Sequence, residues 1–156
     1  MIYYSKGNME LLNVHKVAFL CSRNCPDRVV VRSYEWAIEQ RQKGVCVISG
    51  FHSDIEKDVL YFLLKGNQPI ILTLGMGFMT NIEPQLRSQI DKNRLLIITP
   101  FEDTVTRVTA ETANIRNRLT LELADEIVVA YASKAGSLDK LVTEMTASGK
   151  IVRMLG

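Results

Sequence analysis

Three cysteines in 156 residues are too few for a disulfide framework. Cys21 and Cys25 form a C-x3-C pair with no second cluster, and the nearest histidine, His15, precedes a predicted strand. The thiols therefore read as small buried or loop residues rather than zinc ligands, and free thiols fit a reducing cytoplasm. No metal and no cofactor is expected. Charge of either sign is also in short supply: 19 Lys and Arg against 17 Asp and Glu leave a net +2. That excludes a nucleic-acid binder working by bulk electrostatics, so any anion site has to be local. Apolar runs fall well short of a membrane span. The N-terminus has Lys6 and Lys16 but no apolar core followed by a cleavage site, so it does not read as a secretory leader. No low-complexity linker or internal repeat interrupts the chain.

What is present is a regular alternation. With 47% hydrophobic residues the chain can build one full core. Short apolar runs at 17–21, 45–49, 69–74, 95–99, 127–131 and 151–154 read as strands buried on both faces. Amphipathic stretches at 29–43, 54–65, 83–92, 103–124 and 136–148 read as helices between them. In the fourth, Val108, Thr112, Ile115, Leu119 and Leu123 mark the expected buried stripe. Gly44, Gly66 and Gly149 stand where left-handed C-terminal caps are wanted. Glu83-Pro84 reads as a helix start. Met76 and Met79 read as packing residues. The pattern predicts a single-domain α/β fold, a doubly wound Rossmann-like parallel sheet over 15–156, with residues 1–14 as a short N-terminal arm.

In such a sheet, ligands bind beyond the C-terminal ends of the strands. The loops predicted there are Cys21-Ser22-Arg23-Asn24, Ser49-Gly50-Phe51-His52-Ser53, Gly75-Met76-Gly77, Thr99-Pro100 and Ser133-Lys134-Ala135-Gly136-Ser137. Glycine lets a ligand approach the backbone, and a helix N-terminus offers free N–H groups to phosphate. Taken together on one edge, such loops favour a phosphate site. Helical geometry places Arg116 and Arg118 on either side of the buried stripe, with Asn117 pointing away. Spacing alone leaves open whether they are solvated flanks beside Glu111 and Glu122 or anion ligands. His52 reads as a loop hydrogen bonder rather than a general base, since no nucleophile accompanies it.

Five short motifs follow one another in order. They are Tyr4-Ser5-Lys6-Gly7-Asn8 with Leu11-Leu12, Ser22-Arg23-Asn24, Ser49-Gly50, Arg116-Asn117-Arg118 and Gly136-Ser137-Leu138. Together they resemble the Y-x-K-G-N, G-S-R, S-G-x-A-x-G-I-D, R-N-R and S-G-S-L signatures of the DNA-processing protein A (Smf) family. That family belongs to the wider lysine-decarboxylase-like nucleotide-binding superfamily, and the resemblance covers nearly the whole chain. Departures are specific. Cys21 replaces the first glycine of G-S-R, and Leu60 stands where a histidine is expected. Glu83-Pro84 replaces Y-P. Asp54-Ile55-Glu56 replaces G-I-D, so that an acid, Asp54, stands where the family has glycine and should repel a phosphate nearby. The chain ends about where the family's core ends, so the flanking helical and winged-helix domains are expected to be missing.

The resemblance implies binding of single-stranded DNA, a homodimer and a RecA-type recombinase as partner during uptake of transforming DNA. It also implies a phosphate-binding ring of Ser22, Arg23, Ser49, Gly50, Arg116, Arg118, Gly136 and Ser137. Gly75, in the loop after the third predicted strand, is a further candidate, and Lys134 joins Arg23 and Arg87 as candidate phosphate contacts. The alternative is a stand-alone nucleotide sensor using the same site. Catalysis is not expected. Phosphoribohydrolases of the superfamily carry P-G-G-x-G-T-x-x-E, and the position of that glutamate is Lys140 here. No pair of titratable groups is visibly placed for acid–base work.

Overall fold

The computed structural model describes residues 3–78 and 81–156, so the packing expected of Met79 lies outside it. The elements are β1 (Tyr4–Gly7), β2 (Lys16–Cys21), α1 (Asp27–Lys43), β3 (Cys46–Ser49), α2 (Asp54–Leu64), β4 (Ile70–Thr73), α3 (Pro84–Asp91), β5 (Leu95–Thr99), α4 (Ala110–Leu123), β6 (Glu126–Tyr131), α5 (Ser137–Ala147) and β7 (Ile151–Met154). They form one seven-stranded sheet in the order β1-β5-β4-β3-β2-β6-β7. Every pair is parallel except β1 with β5.

Alternation along the central strands explains why they read as apolar on both faces. Val17, Phe19 and Cys21 of β2 join Trp36 and Val59 in one core, while Ala18 and Leu20 join Leu119, Leu121 and Leu141 in the other. Helices α1 and α2 cover the first face and α4 and α5 the second, as a doubly wound sheet requires. On the first face Trp36 stacks on Phe19 with ring centroids 5.0 Å apart.

Four expectations change. The N-terminal arm contains a strand: Tyr4–Gly7 extends the sheet antiparallel to β5 although all four residues are exposed. The fourth helix begins at Ala110, not near 103. Thr109 and Thr112 close a reciprocal capping box there, which satisfies the first amides and sets the start. Gly66 is not a left-handed cap, unlike Gly44 and Gly149. A Cβ at Gly66 would stand 2.2 Å from Gln68 Oε1 and 2.4 Å from Arg41 Cγ, so the position needs glycine for space. Finally, β7 is an exposed edge rather than a buried strand, with Ile151 and Met154 facing outward.

Candidate functional site

Strands β3, β4 and β5 are laid down on one side of β2, and β6 and β7 on the other. The loops leaving the C-terminal ends of β2 and β6 therefore lead to helices on opposite faces of the sheet, and a cleft opens at that switch point. It measures about 500 Å³, and its walls include Ser22, Arg23, Asn24, Glu56, Arg116, Asn117, Gly136 and Ser137.

Each wall has a local cause. Ser22 ties the two loops together: its N–H donates to the Tyr131 carbonyl (2.7 Å), and its Oγ accepts from Ser133 N–H (3.0 Å). The hydroxyl proton is left over for a ligand. On the β6 side, Ala135 takes a left-handed φ of 61°, and its N–H donates to the Asp139 carboxylate (3.0 Å). Gly136 is then the N-cap of α5. No side chain among the described residues caps that helix. Its first-turn N–H groups, at the positive end of the helix dipole, stay open to an anion.

Arg116 is the least expected member. It is 5% exposed and belongs with Leu119, Thr120 and Leu121 on the buried face of α4, not on the flank of an Ile115 stripe. The helix is held by Thr120, whose Oγ1 lies 2.6 Å from Thr73 Oγ1 of β4. Asn117 does not turn away. Its Oδ1 accepts from Arg116 Nε and Nη2, both at 3.2 Å. The side chain passes between Gly50 and Gly75. A Cβ on Gly50 would stand 2.6 Å from Nε, and one on Gly75 3.2 Å from Nη1. These two glycines therefore admit an arginine, where the sequence suggested that they admit a ligand. Nη1 meets no protein acceptor among the described residues. Burial draws the Arg116 pKa down, and the Glu56 carboxylate opposes that.

Glu56 is likewise turned inward, 6% exposed. Its Oε2 accepts from Cys21 N–H (3.0 Å), and its Oε1 from the N–H groups of His52 (2.9 Å) and Ser53 (3.3 Å). Glu56 thereby fastens the loops after β2 and β3, as the N3 member of the Ser53 capping box, while Asp54, the acid expected to repel phosphate, is exposed outside the cleft walls. The half-buried His52 ring has its pKa lowered, first by burial and then by the nearby Arg116.

The structure thus brings Ser22, Arg23, Arg116, Gly136 and Ser137 to one cleft. Gly50 and Gly75 line a neighbouring groove on the far side of Arg116. Ser49 is fully buried, and its Oγ accepts from Phe51 N–H (3.0 Å). Arg118 leaves the cleft to pair with Glu144 of α5, not with Glu111 or Glu122. Lys134 and Arg87 are exposed outside the cleft walls. Glu56 and Asn117 also build the cleft, although neither stands out in the sequence as a site residue. The Ser53-x-x-Glu56 capping-box spacing was the available signal for the first. Burial pushes the Cys46 thiol up to about 12, in keeping with an inert core residue. Among the described residues no group of three or more His, Cys, Asp or Glu is placed to hold a metal. No helix among them is long and apolar enough to cross a membrane.

A family model described as DNA recombination-mediator protein A matches residues 1–153. DNA processing protein A from Streptococcus pneumoniae is similar in structure, with a TM-score of 0.78 at 20% identity over 97% of this chain and 54% of the other. A DNA processing protein A from Helicobacter pylori, solved for its single-stranded DNA binding mode, gives 0.75 at 19% identity over 97% and 70%. The molybdenum cofactor binding protein from Rippkaea orientalis shares the fold, at 0.61 and 11% identity over 90% and 75%. The chain thus spans about half the length of the Streptococcus pneumoniae protein. No curated protein matches it.

Proposed function

We propose that this chain, which belongs to the DNA recombination-mediator protein A family, holds the backbone of single-stranded DNA in the cleft between its β2 and β6 loops. The observation that carries the reading is the convergence there of three anion-seeking features. They are the exposed guanidinium of Arg23, the uncapped N-terminus of α5 and the buried Arg116 in the cleft wall. Arginine and backbone N–H groups are the usual partners of phosphate oxygens. Nothing in the cleft couples a nucleophile to a base, and Lys140, in the position of the hydrolase glutamate, is exposed on α5. The chain is therefore read as a binding module, not an enzyme. A homodimer and a RecA-type recombinase partner belong to the same proposal.

The test is binding of fluorescent oligothymidylate across a salt series. Phosphate contacts predict a linear fall of log K with log salt, with a slope of about −0.7 per contact on a single strand. Affinity that barely moves between low and moderate salt would overturn the reading. A second reading, a sensor for a mononucleotide, is favoured by the cleft's size of about 500 Å³. It predicts a rise in melting temperature with a mononucleotide alone, since a ligand of the native state stabilises it.

A further inference from the structure

A groove between α2 and α3 adjoins the cleft and shares Arg116 and His52 with it. Its floor is apolar, formed by Leu60, Leu64, Leu72 and Leu86. Its α2 wall carries Lys57 and Tyr61, and Lys65 follows at the helix end. The spacing i, i+4, i+8 puts all three on one side of the helix, and all three are exposed. Tyr61 is 55% exposed yet braced. Phe62 meets its ring edge-on at 5.7 Å, and the Lys65 ammonium sits 4.5 Å from the ring centroid. Such a large aromatic surface held in water between two cations is not accounted for by the core or by the cleft.

We propose that this face of α2 is a second contact for single-stranded nucleic acid. The strand leaves the cleft past Arg116, lays a base against Tyr61 and sets phosphates beside Lys57 and Lys65. Sequence-tolerant single-strand sites combine an aromatic stacking platform with cations that track the backbone, and this face offers both. Lys57 and Lys65 are eight residues apart, about 12 Å along a helix, so the face engages more than one nucleotide. Glu83 lines the opposite wall, which biases phosphates toward the lysine side. The inference rests on the single-stranded DNA reading and sharpens it: the ligand is a strand, because one mononucleotide cannot occupy both cleft and face.

The experiment compares a thymidine dodecamer with a thymidine dinucleotide, by anisotropy at low salt, on the full chain. Wild type is expected to bind the dodecamer at least tenfold more tightly. Tyr61→Ala should weaken the dodecamer about tenfold and leave the dinucleotide unchanged, while Tyr61→Phe retains dodecamer binding. The double variant Lys57→Ala, Lys65→Ala should make the dodecamer's salt slope shallower by about 1.4. Melting temperatures of all variants should match wild type, since the three side chains are exposed. Dodecamer binding by Tyr61→Ala and the lysine double variant equal to wild type overturns the second contact and leaves the cleft reading standing. Failure of wild type to bind either length overturns both.

Discussion

Arg116 Nε lies where a side chain on Gly50 would have to go: a Cβ there would stand 2.6 Å from it. Gly50→Ala therefore forces either the arginine or the β3 loop to move. Overpacking of this kind costs about 1–3 kcal/mol. The expected outcome is a lower urea midpoint with an unchanged m-value. Oligothymidylate binding should weaken as well, because Arg116 loses its place in the cleft wall.

Glu56 gives a second handle. Glu56→Ala leaves the N–H groups of Cys21, His52 and Ser53 without their acceptor, and removes the carboxylate nearest the buried Arg116. Unsatisfied buried donors cost about 1–3 kcal/mol each, and an uncompensated buried charge adds to that. A loss of about 3 kcal/mol or more is expected in chemical denaturation.

His52 predicts a pH dependence whose sign follows from its lowered pKa. Above the ordinary 6.5, both folded and unfolded chains hold the ring neutral. As pH falls through 6.5, the unfolded chain takes up a proton that the folded chain refuses, so stability declines until the folded pKa is passed. Urea midpoints measured from pH 8 to pH 5 should fall toward the acid end. His52→Asn should flatten that part of the profile.

Arg23 and Arg118 should part company in binding. Arg23→Ala is expected to weaken oligothymidylate binding and make the salt slope shallower by about 0.7. Arg118→Ala should leave both unchanged, because that side chain is paired with Glu144 outside the cleft walls. Its effect on stability should stay below about 1 kcal/mol, as for other exposed ion pairs. Equal effects of the two substitutions would place the strand over α4 and α5 instead.

Much of this molecule was legible beforehand, for reasons visible in particular residues. Residues 17–21 of β2 and 127–131 of β6 are apolar throughout because helices cover both faces, and that unbroken pattern marks a parallel sheet. The loops that meet in the cleft were readable because topology alone puts every β-to-α turn on one edge. The burial of Arg116 is not legible in the sequence, because a stripe drawn through Ile115 and Leu119 assigns cations to the flank. What buries it is the missing side chains of Gly50 and Gly75, which lie far away in the sequence. Strand β1 is hidden in the sequence for a related reason. Tyr4–Gly7 is exposed and carries no apolar alternation, and its pairing comes from the open edge of β5.

The stacking of Trp36 on Phe19 has a practical use. Trp36 is the chain's one tryptophan, and Phe19 stands two residues before Cys21, the last residue of β2. The protein therefore carries its own optical probe beneath the cleft. Indole emission reports unfolding from a single buried site, and the same signal should register any strain that a bound strand transmits down β2, with no dye attached.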